Sequence, residues 1–209
     1  MKRYLLITLL TVMGMTARAQ TPLTERQSQE VMTQLSQATA SMQTMQCRFL
    51  QEKTSSMLAK PSVSEGMMWY VAPDKMRWEY AKPYAFTLVV NGERIVKVTD
   101  GQAEALEGNS SRMYQGMVGL IMGSASGKEL FDASVFDVVL FDDGVFWKAE
   151  MTPKRRDMKR MFNQLVFRFD KKTKTISRVE FIGSSGDITS IQFEEISLNK
   201  QIEVQKFNE

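Results

Sequence analysis

From Lys75 to Tyr80 the chain alternates strictly, with Lys75, Arg77 and Glu79 at odd positions and Met76, Trp78 and Tyr80 at even ones. A period of two puts three large apolar side chains on one face of an extended strand and three charges on the other. A helix would scatter the same residues around its axis. The segment therefore predicts a strand in a sheet with one apolar and one wet face.

The same period runs through most of the chain. "CRFLQEKTSS" sets Cys47, Phe49 and Gln51 against Arg48 and Leu50, and "VSEGMMWYVA" follows before a Pro73-Asp74 turn. Asn91-Gly92 and Asp100-Gly101 then break "AFTLVVNGERIVKVTDGQAEALEG" into three short runs. Such dipeptides between apolar runs mark hairpins, because their residues accept the positive φ that tight turns need. Further strands read as "FDVVLFDDGVFWKAEMTP" with a turn at Asp143-Gly144, then "MFNQLVFRFD", "TISRVEFIG" and "DITSIQFEEIS". About ten strands with short connections predict a large antiparallel meander, curved, with a few helices against one face.

Two segments depart from this period. Thr24 and Gln27 form a capping box for a helix whose stripe is Val31, Leu35, Ala38, Met42 and Met45, with Met32 beside it. In "SSRMYQGMVGLIMGSAS", Met113, Met117, Leu120 and Ile121 fall at helical spacing, but three glycines weaken that helix by about 1 kcal/mol each.

The first nineteen residues read as a cleavable signal peptide, with Lys2 and Arg3, an apolar run too short to span a bilayer, and Ala17-Arg18-Ala19 at the cut. Residues 20–209 then form a single domain, expected to be exported. The net charge of +3 comes from Lys2, Arg3 and Arg18, so the remainder is balanced and nothing favours nucleic acid as a partner. Cys47 is the one cysteine and lies far from the cut, so it forms no lipobox and no intrachain disulfide. Histidine is absent, which removes the usual zinc ligand and the commonest general base. No acid–base or nucleophile set is visible, so neither an enzyme nor a cofactor is expected. Asp142-Asp143 reads as a hairpin turn rather than a metal pair. Lys154, Arg155, Arg156, Lys159 and Arg160 form a basic cluster that suits a solvated turn, an acidic partner or anionic lipid.

The distinctive excess is in soft apolar side chains. There are sixteen methionines, of which Met1, Met13 and Met15 lie in the leader, and most of the rest concentrate on the two helices and the opening hairpin. Methionine adapts its shape cheaply, so such surfaces occur where variable apolar partners must be accepted. Pattern alone leaves two readings open: an ordinary packed core, or an apolar cavity between sheet and helices.

The residues resemble the outer-membrane lipoprotein carrier proteins of the LolA/LolB type. The likeness rests on a leading helix, then Phe49-x-Gln51, Gly66-x-x-Trp69, and a proline-led strand with Pro73, Met76, Trp78 and Pro83 before Asn91-Gly92. The resemblance implies an incomplete β-barrel of ten or eleven strands, α+β but mainly β, covered by a lid of helices. It implies a periplasmic shuttle without a cofactor, with acylated lipoproteins as cargo, an inner-membrane lipoprotein-releasing ABC transporter as donor and an outer-membrane acceptor. The carrier is expected to be a monomer. On this reading Met67, Trp69, Met76, Trp78, Tyr80, Phe86 and Leu88 contribute to the acyl-chain cavity. Met32, Leu35, Met42, Met113, Met117, Leu120 and Ile121 belong to the lid helices. Ala72 stands where many carriers have an arginine that latches the lid, so that latch is absent or built differently. A same-fold sensor of envelope stress is the alternative.

Overall fold

The computed structural model describes residues 20–108 and 131–208. The expected signal peptide and the expected helix of Met113, Met117, Leu120 and Ile121 lie outside the described residues.

Helix α1 (Glu25–Ala40) opens with the predicted capping box: Gln27 N–H donates to Thr24 Oγ1 at 3.4 Å and Thr24 N–H donates to Gln27 Oε1 at 3.0 Å. It buries Val31 and Leu35 and stops two residues before Met42. Thr39 and Ser41 hydroxyls donate back to the carbonyls of Leu35 and Ala38, and the next residues are claimed by strand pairing. Met45, which continues the helical stripe in sequence, instead pairs with Tyr70 and Leu198 in the sheet.

Eleven strands follow: β1 (Thr44–Thr54), β2 (Ser62–Val71), β3 (Lys75–Lys82), β4 (Phe86–Asn91), β5 (Arg94–Thr99), β6 (Gln102–Ala105), β7 (Phe136–Asp143), β8 (Phe146–Pro153), β9 (Phe162–Asp170), β10 (Ile176–Gly183) and β11 (Ile188–Leu198). A one-turn helix α2 (Arg156–Lys159) joins β8 to β9, and a 3₁₀ turn (Val204–Phe207) follows β11. The strands form one antiparallel sheet in the order β6-β5-β4-β3-β2-β1-β11-β10-β9-β8-β7. Two wings of successive hairpins thus meet at β1 and β11, where Phe49 faces Phe193 and Thr54 faces Ile188. The turns are those read from sequence: Gly92, Asp100, Gly101 and Gly144 all hold positive φ. The sheet is open and curved, and its inner face carries α1 and nearly all of the core.

Of the expected lid of helices, the described residues show α1 alone as a helix of several turns. Among the described residues no helix is long and apolar enough to cross a membrane.

Gly66 explains why the first hairpin packs as it does. It pairs with Phe49 across β1, and a Cβ placed on it would lie 1.8 Å from the Glu79 carbonyl oxygen and 2.8 Å from Phe49 Cζ. A pairing irregularity at Glu65-Gly66 draws β3 close, and the Phe49 ring occupies the space a side chain would take. Backbone cannot yield as a flexible side chain would. Gly66→Ala is expected to destabilise the fold by about 3 kcal/mol, read as a lowered urea midpoint at unchanged slope.

Candidate functional site

The inner face is assembled from one side chain in two along each strand. On β3 these are Met76, Trp78 and Tyr80, and β4 sets Val90, Leu88 and Phe86 directly opposite them. Phe49 sits at the centre, its ring 4.5 Å from Trp78 and edge-on to Tyr80 at 5.0 Å. Tyr80 stacks on Phe86 at 4.3 Å, and Trp78 meets Phe193 edge-on at 6.1 Å. The other wing continues the lining with Phe181, Phe167, Phe169, Met151 and Trp147. The face is therefore apolar and aromatic across both wings.

Polar groups on this face are sparse. Tyr80 Oη donates to Gln51 Oε1 at 2.9 Å, which explains a glutamine at the inward position two residues after Phe49. Trp78 Nε1 is buried and meets no acceptor among the described residues. Cys47 is fully buried, and burial pushes its thiol up to about 12, because the thiolate would lose its hydration. Among the described residues no group of three or more cysteine or acidic side chains is placed to hold a metal ion. Asp142 and Asp143 go to the turn and to ion pairs with Lys171 and Arg168.

Met76, Trp78, Tyr80, Phe86 and Leu88 all lie on the inner face, and Leu35, Met32 and Met42 pack against it from α1 and the residues just after it. Met67 and Trp69 do not. Trp69 pairs with Arg77 and Met67 with Glu79, on the outer face, while Met68 and Tyr70 take the inner positions opposite Trp78 and Met76. The expectation for these two residues is corrected. "MMWY" is apolar on both faces, so its own pattern gives no phase, and pairing with β3 sets it.

The outer face near Trp69 is not wet either. Phe207, 2% exposed, packs on Trp69 and Val89 with Ile202 nearby. Arg77 Nη1 donates to the Lys206 carbonyl at 3.2 Å, and Lys206 Nζ lies 4.3 Å from the centre of the Trp69 ring. The Arg77 side chain, read as solvent-facing from sequence, is consequently 17% exposed.

An open cleft of about 680 Å³ lies between the polar side of α1 and β7. Met32, Phe131, Phe136 and Val138 give it apolar walls, Thr33 and Ser36 a polar edge. Lys154 stands in its lining, donating to the Ala133 carbonyl at 2.7 Å and paired with Asp137 at 2.9 Å. The volume falls within the range of about 300–1,000 Å³ usual for small-ligand sites. Of its lining, Met32 is the one residue expected at the site; the alternation of Phe136 and Val138 held the signal for the β7 wall. Ala72 donates its N–H to the Gln43 carbonyl at 2.8 Å and packs in the inner cluster, with no side chain to reach α1 as a latch.

This geometry defines a class: open half-barrels whose single sheet presents an apolar inner face beneath a helix. The chain belongs to the outer membrane lipoprotein carrier protein family, LolA, whose sequence model matches residues 40–209. It is 28% identical over 159 residues to an outer-membrane lipoprotein carrier protein of Methylobacillus flagellatus, covering 76% of this chain and 74% of that one. Among solved structures, MucB in its complex with MucA from Pseudomonas aeruginosa matches with a TM-score of 0.52 at 14% identity, over 88% of this chain and 61% of that one. The lipoprotein LppX of Mycobacterium tuberculosis matches at 0.50 and 13% identity, over 87% and 100%. An uncharacterised conserved protein of Thermus thermophilus matches at 0.52 and 12% identity, over 86% and 91%. At these identities the structural likenesses show the fold.

A thiol so buried has neither the ionisation nor the access to react. Cys47 is expected to resist a disulfide reagent at pH 8 in the native protein and to react at once in denaturant, followed by thiol absorbance.

Proposed function

We propose that this chain carries acylated lipoproteins, holding their acyl chains against the inner face and shuttling them through the periplasm from the inner to the outer membrane. The observation that carries this reading is the aromatic inner face, apolar across both wings, with an open cleft at its edge beneath α1. An inner-membrane lipoprotein-releasing transporter would load the carrier and an outer-membrane acceptor would unload it.

Energetics favour admission by displacement of α1. Val31 and Leu35 are its fully buried side chains, and their exposure costs about 3–6 kcal/mol together. Each acyl methylene buried in their place returns about 0.8 kcal/mol, so roughly four to eight methylenes offset the loss. Met32 and Met42 would reshape around chains of different length. No bond is made or broken, and release follows whenever an acceptor offers the chains a deeper apolar site.

The test is purification from the native periplasm with mass spectrometry of what co-purifies, alongside titration with a fluorescent acyl probe. Acylated lipoprotein is expected in the wild type. Trp78→Glu is expected to abolish capture, and Met32→Glu, at a partly exposed position, to weaken the probe about tenfold or more. Phe207→Ala, on the outer face, is expected to lower stability while leaving capture intact. Equal losses from the Met32 and Phe207 variants would place binding elsewhere than the inner face.

A further inference from the structure

Hairpin order sorts the connections between two rims of the sheet. Loops β1–β2, β3–β4, β5–β6 and β10–β11, the α2 connection and the start of β7 all fall on one rim. That rim carries the most exposed large apolar side chains among the described residues: Met57 at 92% on the β1–β2 loop and Tyr84 at 81% on the β3–β4 loop. Leu58 and Ile188 are exposed there too.

The basic cluster falls on the same rim, in and around α2. Lys154 and Arg155 are paired with Asp137 and Asp157. Arg156, Lys159 and Arg160 are exposed and have no ion-pair partner among the described residues. On the opposite rim Lys171 is paired with Asp142 and Lys174 lies over the Trp147 ring, while Lys172 and Val145 are exposed.

We infer that this rim docks the protein on an anionic phospholipid surface, with Arg156, Lys159 and Arg160 over the headgroups and Met57 and Tyr84 entering the interface. Charge complementarity selects the occupant, since unpaired cations near a membrane are drawn to anionic lipid. The form of the apolar contacts selects it as well. A protein interface concentrates its apolar residues in a contiguous buried centre, whereas here they stand on separate hairpin tips, as suits entry into a planar headgroup layer. Lys154 lines the cleft beside β7 and also begins the basic cluster, so the docked rim would hold the cleft mouth close to the membrane. That last consequence rests on the carrier reading; the docking itself does not.

The experiment is co-sedimentation of the purified protein with phosphatidylcholine vesicles, with and without phosphatidylglycerol, at low and high salt. Binding is expected with phosphatidylglycerol and is expected to fall with salt. The variant Arg156→Gln/Lys159→Gln/Arg160→Gln is expected to lose on the order of a hundredfold in affinity. Met57→Ser/Tyr84→Ser is expected to lose about tenfold. All five positions are exposed, so melting and acyl-probe capture should match the parent. The inference is overturned if phosphatidylglycerol brings no gain, if either variant binds vesicles like the parent, or if the cations capture polyglutamate but not vesicles. Loss of vesicle binding with acyl capture intact supports the rim and leaves the carrier reading untouched; loss of acyl capture in the parent condemns the carrier reading alone.

Discussion

The Phe49 ring lying over Gly66 is the contact on which the rest of the sheet is arranged. β1 is the strand where the two wings meet, and Phe49 is its central inward side chain. Because Gly66 gives it room, the ring touches Trp78 and Tyr80 on one wing and faces Phe193 on the other. A larger residue at 66 would push β3 away and separate the aromatic side chains that line the inner face. The motif elements Phe-x-Gln and Gly-x-x-Trp are thus two halves of one steric fit, with Gln51 completing it by accepting from Tyr80.

The two faces of the same strands are held by different physics. Inside, dispersion and burial act among rings and sulfur. Outside, Arg48 joins Glu65 at 2.8 Å and Glu194 at 3.0 Å across three strands, and Lys82 adds a second cation to Glu65 at 2.8 Å. Hydrogen bonds from Lys82 and Arg48 hold the Glu65 carboxyl below its ordinary range. Such exposed pairs add little stability each, but they fix register across the seam between wings, where a slip of one residue would turn the aromatic face outward.

Much of this was legible in the sequence. The strict alternation of β3 gave its phase, and Asn91-Gly92, Asp100-Gly101 and Asp143-Gly144 placed the hairpins, because positive φ demands those residues. Local pattern failed where the deciding contact is distant. Met45 continues a helical stripe, yet pairing with Tyr70 and Leu198 makes it a strand residue. Met67 and Trp69 belong to a strand apolar on both faces, and their outward phase is intelligible once Phe207 is seen packing over Trp69. The cleft beside β7 joins residues from α1 and from a strand a hundred positions on, which no window of sequence brings together.

The pairing of β1 with β11 has a consequence for how the chain comes to be folded. Arg48 and Glu194 stand 146 positions apart, so the early wing has one long unpaired edge until the last strand arrives. Loop closure over such a span is slow relative to the hairpins on either side. While it is made from its N-terminus, the polypeptide therefore cannot settle into its final form before its closing strand exists.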